Sequence, residues 1–368
     1  MMLKGLKKEY MKRKLNSKGK RVIIIILVLI IGSVSAILLI NKSNNKEEAK
    51  DKTEIKKEVK EEKQEEVKEI KKLNIIDIDS DSRPYAVMIN NISTVWGYQS
   101  GLQDAYLVYE IIVEGGYTRL MAIYKDKSLD RIGSVRSSRH YFLDYALEND
   151  AIYVHFGWSP QAESDMKSLG VNNINFMTYD GYTRDRSLNL ASEHTAFTTT
   201  NNIMEGADYY GYRKTSEEKP LLNYSVDEID LSTKEGAISA NKVFIGYSNS
   251  RNTSFEYDSE AKLYKRFQNE QAQTDYVTNE QYTVKNIITY QVDNYTIAGD
   301  DKGRQDINNI GSGEGYYITN GYAIPITWEK TSRSSKTIYK YKNGQEIEVN
   351  DGNTHIEIQP SGQNITIE

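Results

Sequence analysis

The chain has 368 residues, no cysteine and a formal net charge of −5. Without cysteine it has no disulfides, no thiolate metal sites, no cysteine nucleophile and no lipid-modified cysteine. Residues 73–368 carry 27 basic against 41 acidic side chains, a net of −14, which opposes general nucleic-acid binding, because that binding is driven by phosphate neutralisation.

Residues 1–21 form a basic tail with nine Lys/Arg and one Glu. Residues 22–40 follow, nineteen positions without a charge. That is long enough to cross about 30 Å of hydrocarbon. Lys18, Lys20 and Arg21 stand just before the span. The positive-inside rule therefore predicts a single-pass anchor with a cytoplasmic N-terminus and everything beyond it extracellular. The alternative is a cleaved signal peptide, with Ser33-Val34-Ser35-Ala36 as the small-residue site. Residues 41–72 are a charged Lys/Glu linker, too poor in apolar surface to fold alone.

Residues 73–215 read as an N-terminal domain of the α+β or α/β kind with a mixed sheet. Strands are expected at 85–90, 108–113 and 118–124. Gly115-Gly116 is a hairpin signal between the last two. A two-residue turn would face Ile112 with Arg119 and put Glu110, Glu114 and Arg119 on one side of the sheet. A helix is expected to start near Ser137 or Ser138, either of which makes a natural N-cap, with Arg136 and Arg139 at its anion-attracting end. Residues 151–156 read as a strand with His155 near its C-terminal end, followed by Trp158 and a helix capped by Ser159 with Pro160 at its first position. Strand ends of this kind carry ligands in open α/β sheets. His194 precedes another helix near Thr199.

Residues 216–368 read as a β-rich C-terminal domain. Expected strands include 242–247, 253–258, 262–268, 283–292, 315–319, 322–328, 336–342 and 353–358. Gly311 to Gly315 lacks the Lys-Ser/Thr of a phosphate loop and reads as a turn. No pair of histidines has metal-ligand spacing, so no metal is expected. No cofactor is expected either.

The run Arg83-Pro84-Tyr85-Ala86-Val87-Met88-Ile89-Asn90-Asn91 resembles the YerB-like family of Gram-positive envelope proteins. The likeness continues through Glu114-Gly115-Gly116, Thr118-Arg119, Val135-Arg136-Ser137, Arg139, His155, Ser159-Pro160 and His194. It resumes at Asp306-Ile307, Gly311-Ser312-Gly313, Asn320-Gly321 and Thr327-Trp328. The resemblance implies a two-part extracytoplasmic protein and supplies no mechanism. Members of that family look like cysteine-anchored lipoproteins, and this chain departs from them in having no cysteine.

Three functional classes follow. The first is a lytic transglycosylase-like enzyme on peptidoglycan, with Glu114 as general acid/base, Glu110 or His155 assisting, and Arg119, Arg136, Ser137, Arg139, Trp158, Ser159 and His194 binding substrate. The second is a non-catalytic module binding wall glycan or an envelope partner through the same residues. The third is a structural ectodomain whose arginines only pair with acids. Each side chain also has a plain role open to it: Ser159 as a cap, Arg119 as an ion-pair partner, and His155 as a hydrogen-bonded strand residue.

Overall fold

The computed structural model describes residues 72–368. The basic tail, the apolar span 22–40 and all but the last residue of the linker lie outside the described residues. Among the described residues, no helix is long and apolar enough to cross a membrane.

The chain enters through β1 (Tyr85–Asn90), β2 (Leu107–Ile112) and β3 (Thr118–Tyr124). All six residues of β1 are buried. The reason is its place: β1 pairs antiparallel with β3 and parallel with β4 (Ile152–His155), and both of its faces are covered. A strand enclosed in this way reads as an unbroken apolar run. α1 (His140–Glu148) precedes β4, and α2 (Pro160–Ser168) links it to β5 (Asn173–Asn175). α3 (Thr200–Tyr209) follows, capped by Thr199, whose side chain accepts from the Asn202 amide at 3.0 Å.

Beyond residue 216 the chain is built from strands: β6 (Lys242–Ser248), β7 (Arg251–Asp258), β8 (Leu263–Gln268), β9 (Asn286–Val292), β10 (Gly311–Thr319), β11 (Tyr322–Lys330), β12 (Thr354–Pro360) and β13 (Ile365–Ile367). Among the described residues, eleven strands make one mixed sheet. Its path runs from the short strand Ile238–Ser239 through β11, β10, β9, β12, β2, β3, β1 and β4 to β5. β12 lies between β2 and β9, parallel to both. The sheet therefore draws strands from both halves of the chain. A second sheet of six strands is centred on β8, β7, β6 and β13.

Packing follows strand alternation. Met88, Tyr109, Met121 and Tyr153 point to α1 and α2, meeting Tyr141, Phe142, Tyr145 and Ala162. Val87, Val108, Ala122 and Val154 point the other way, to Ile203 and Ala207 of α3. Glu110 shares that second face with Val108, and the second sheet covers it there.

Two expectations fail here. Residues 311–315 are not a turn but the first half of β10, paired against β11. Neither Ser137 nor Ser138 caps α1. The N-cap is Arg139, in extended conformation and without a side-chain cap bond.

Candidate functional site

The turn between β2 and β3 takes three residues, Glu114 to Gly116, not two. Gly115 and Gly116 both have positive φ, at 70° and 71°, where glycine avoids the Cβ clash. The longer turn shifts the register by one. Arg119 faces Ile111 and Glu110 faces Leu120. Glu110 and Arg119 therefore lie on opposite faces of the sheet, contrary to the tight-hairpin expectation. Glu114 still reaches Arg119, because it sits in the loop rather than in the ladder.

Residues 134–138 form a strap across the carboxyl ends of β1 and β4. The Asn90 amide donates to the Ser134 carbonyl at 2.9 Å, and the Arg136 amide to the Met88 carbonyl at 2.9 Å. On the other side, the Phe156 amide donates to the Arg136 carbonyl at 3.0 Å, and the Ser138 amide to the Gly157 carbonyl at 2.9 Å. The strap thus holds Arg136 and Arg139 beside Arg119, the second residue of β3, which lies opposite Asn90.

Two of the three guanidiniums meet one inner carboxylate, Glu114. Arg119 Nη2 donates to Glu114 Oε1 at 3.0 Å, and Arg139 Nε donates to Oε2 at 2.9 Å. Arg139 Nη2 closes a bidentate pair on Oε1, the strong geometry for carboxylate. Arg119 Nη1 donates to the Ser137 carbonyl at 2.6 Å, and Arg139 Nη1 to the Ser138 carbonyl at 2.7 Å. Arg136 is less engaged: its Nη1 reaches the Glu193 carbonyl at 3.3 Å, and its Nη2 lies 3.8 Å from the carboxylate of the exposed Glu193. Beside them, Asn90 Nδ2 meets His194 Nδ1 at 3.0 Å.

The electrostatics record the imbalance. Burial would raise the Glu114 carboxyl, but the charges of Arg119 and Arg139 and their hydrogen bonds hold it at about 2. Burial and then the like charge of Arg139 pull Arg119 down to about 9. Burial and the neighbouring Arg139 lower Arg136, against the pull of Glu193. Burial and Arg136 lower His194. Burial disfavours the charged form of each of these cations, and a like charge beside it adds to the shift.

The other sequence candidates lie elsewhere. Glu110 is fully buried on the opposite face. It accepts from Thr118 Oγ1 at 2.6 Å, Asn91 Nδ2 at 3.1 Å and Thr253 Oγ1 at 2.8 Å, and it pairs with Arg266. Burial, and then the adjacent Glu357, raise its pKa against Arg266. His155 is also fully buried, with Nδ1 2.9 Å from the Gly157 carbonyl and Nε2 3.1 Å from Asn173 Oδ1. Burial lowers it to about 4, so it is neutral at ordinary pH. Ser159 caps α2, its Oγ accepting from the Ala162 amide at 3.2 Å. Trp158 is half-buried and lies against His155, with ring centroids 5.8 Å apart.

Sequence reasoning missed the partners of Glu110. Glu357 lies directly opposite it on β12, with Tyr247 donating to Glu357 Oε2 at 2.6 Å and His355 Nδ1 3.2 Å from Oε1. The signal was the alternation of His355, Glu357 and Gln359 with Ile356 and Ile358. Among the described residues, no group of three or more His, Asp or Glu is placed to hold a metal ion.

The arrangement is that of an extended mixed-sheet protein with a cationic cluster at one sheet end. Two family models match it: the N-terminal domain of a protein of unknown function, DUF3048, over residues 74–213, and the C-terminal domain of DUF3048 over residues 243–356. The chain belongs to this family. It is 31% identical over 282 residues to YerB of Bacillus subtilis (strain 168), described as an inferred lipoprotein, covering 76% of this chain and 82% of that one. A crystal structure of the YerB protein from Bacillus subtilis matches the fold with a TM-score of 0.67 and 28% identity, over 77% of this chain and 94% of its own.

Proposed function

We propose that this chain is an extracytoplasmic envelope protein, tethered through residues 22–40, that binds an anionic group of a wall polymer at Arg119, Arg136, Arg139 and His194. The location is supported by the basic flank of the apolar span and by the relation to YerB, itself an inferred lipoprotein. The observation that carries the binding reading is charge: three guanidiniums lie together, two of them share the single carboxylate of Glu114, and Arg136 has only the exposed Glu193 beside it. A planar guanidinium with free donors suits a carboxylate or phosphate. Peptidoglycan offers carboxylates along its stem peptides.

The same geometry favours binding over cleavage. A general acid must hold a proton near the working pH. Glu114, at about 2, is ionised there. Glu110 holds a proton more readily but is enclosed on every side. A lytic transglycosylase-like reaction would need one of these to change its surroundings.

The test is co-sedimentation of the purified full chain with insoluble peptidoglycan sacculi. Binding is expected to weaken with salt, to drop at least tenfold in Arg136→Ala, and to release no anhydro-sugar product by mass spectrometry. Unchanged binding in both Arg136→Ala and Arg136→Glu would sink the reading. Anhydro-sugars that vanish in Glu114→Gln would restore the enzyme.

A further inference from the structure

A groove of about 420 Å³ opens between α2, β5 and the segment after α3. Trp158 lines it, and a backbone bridge between Ser138 and Trp158 joins that residue to the arginine strap. Its volume falls within the range of small-molecule sites. Its lining mixes flat rings with amides. Trp158, Tyr210 and Tyr212 are each half-buried, and the two tyrosine rings stack at 5.6 Å and 20°. Asn173 and Asn175 stand on β5 beside them.

One amide is left over. Asn175 is 2% exposed. Its Oδ1 accepts from the Gly157 amide at 3.0 Å and the Met177 amide at 3.1 Å, which fixes the side chain. Its Nδ2 has no hydrogen-bond partner. A buried donor left without a partner is rare enough to need a reason. The residue lines the groove, and an acceptor bound there that reached the amide would supply one.

The groove holds no uncompensated charge. Glu163 and Lys167 on α2 pair with each other at 3.3 Å. The groove therefore carries no net charge to draw a phosphate or carboxylate. A ligand that fits has a flat apolar face to lie on a ring, polar groups at its edge for amides, and no charge. A pyranose ring has all three: C–H groups on its face, and hydroxyl or acetamido oxygens around the rim.

We infer that this groove is a sugar subsite, taking a neutral hexose or N-acetylhexosamine ring against Trp158 and Tyr210, with Asn175 Nδ2 donating to a ring substituent. It deepens the wall-binding reading but stands on different residues. The anionic group goes to the arginine cluster and the neutral ring to the groove. The two sites therefore fail separately.

The probes are chitotetraose and cellotetraose, both uncharged, added to the full chain in a detergent without a sugar headgroup. Trp96 and Trp328 are buried, while Trp158 is half-buried, so Trp158 is the reporter. A saturable change in tryptophan fluorescence is expected, absent in Trp158→Phe. Asn175→Asp keeps the oxygen acceptor and removes the donor, and Tyr210→Ala removes the platform. Each is expected to weaken binding at least tenfold. Binding of chitotetraose but not cellotetraose would assign the acetamido oxygen to Asn175. Saturation-transfer NMR on the unmodified chain keeps the test alive if a variant misfolds. No saturation transfer to either sugar at millimolar concentration overturns the inference. So does binding that survives intact in folded Asn175→Asp and Tyr210→Ala.

Discussion

Glu114→Gln isolates the charge at the centre of the arginine cluster. Glutamine keeps the shape and one oxygen acceptor and removes the negative charge. The carboxyl has fallen from its ordinary 4.5 to about 2, and each unit is worth about 1.4 kcal/mol. That sets an upper bound of roughly 3 kcal/mol. The side chain is 25% exposed, and solvent screening trims the figure to about 2 kcal/mol. A carboxyl with a depressed pKa contributes stability that is fully present above its unfolded value and is lost as pH falls through the folded one. The variant is therefore expected to be about 2 kcal/mol less stable than the parent at pH 7. The gap should shrink below about pH 4.5 and close near pH 2. Urea unfolding followed by tryptophan fluorescence at several pH values between 7 and 3 measures it. A gap that stays constant over that range, or widens as pH falls, would refute the ion-pair reasoning.

Two further outcomes follow from the same chemistry. Glu110→Ala removes the carboxylate beside Arg266, which is 1% exposed and already has Nε and Nη1 without partners. Uncovering a buried charge costs about 3–5 kcal/mol, so thermal melting should show a large loss, and near-parental stability would disprove the pairing. Inorganic phosphate should raise the melting midpoint more than chloride of equal ionic strength, by about 2.7 kcal/mol of stabilisation at a hundred times its dissociation constant. Arg136→Ala should lose that difference, and an equal response in both proteins would remove Arg136 from the anion site.

The parts of the fold that were legible in the sequence are those where local pattern and final surroundings agree. β1 is an apolar run because it is covered on both faces. Ser159-Pro160 announced α2 because a cap and a first-turn proline satisfy the same free amides in any context. The glycines of β10 misled because glycine serves both turns and close packing. A Cβ on Gly313 would come within 2.7 Å of Trp328 Nε1, and one on Gly315 within 2.4 Å of the Thr289 carbonyl oxygen. Those glycines make room rather than bend the chain. The polar alternation of β12 was not readable as a site for a different reason. Alternation marks which face is polar but not whether that face meets water. Here the second sheet encloses it, and Glu357, His355 and Glu110 share a dry network with Tyr247 and Arg266.

The site was legible in its residues but not in its geometry. Glu114 and Arg119 were expected to meet through strand register, yet they meet despite the register, because a loop carboxylate is bound to neither face. His155 was expected to face a ligand because strand ends usually do. The strap over β4 and the ring of Trp158 instead enclose it. That strap is long-range structure: residues 134–138 bond to β1, some forty-five positions earlier in the sequence, and to residues 156–157 on the other side, and no local pattern encodes such a crossing.

The charge distribution limits what the cluster can recognise. Residues 73–368 carry a net −14, so their far field repels polyanions. A guanidinium cluster within such a field acts over a few ångströms and not over the whole surface, since exposed charges are screened beyond about 8 Å at physiological salt. Arg119 and Arg139 are occupied by Glu114, which leaves Arg136, with His194 beside it, as the cation most open to a ligand. One accessible guanidinium on an acidic body suits one carboxylate or phosphate presented on an otherwise neutral scaffold. It does not suit a track for a densely charged chain. A glycan bearing a single acidic branch beside neutral sugar rings meets both conditions, the anion at Arg136 and the ring in the Trp158 groove.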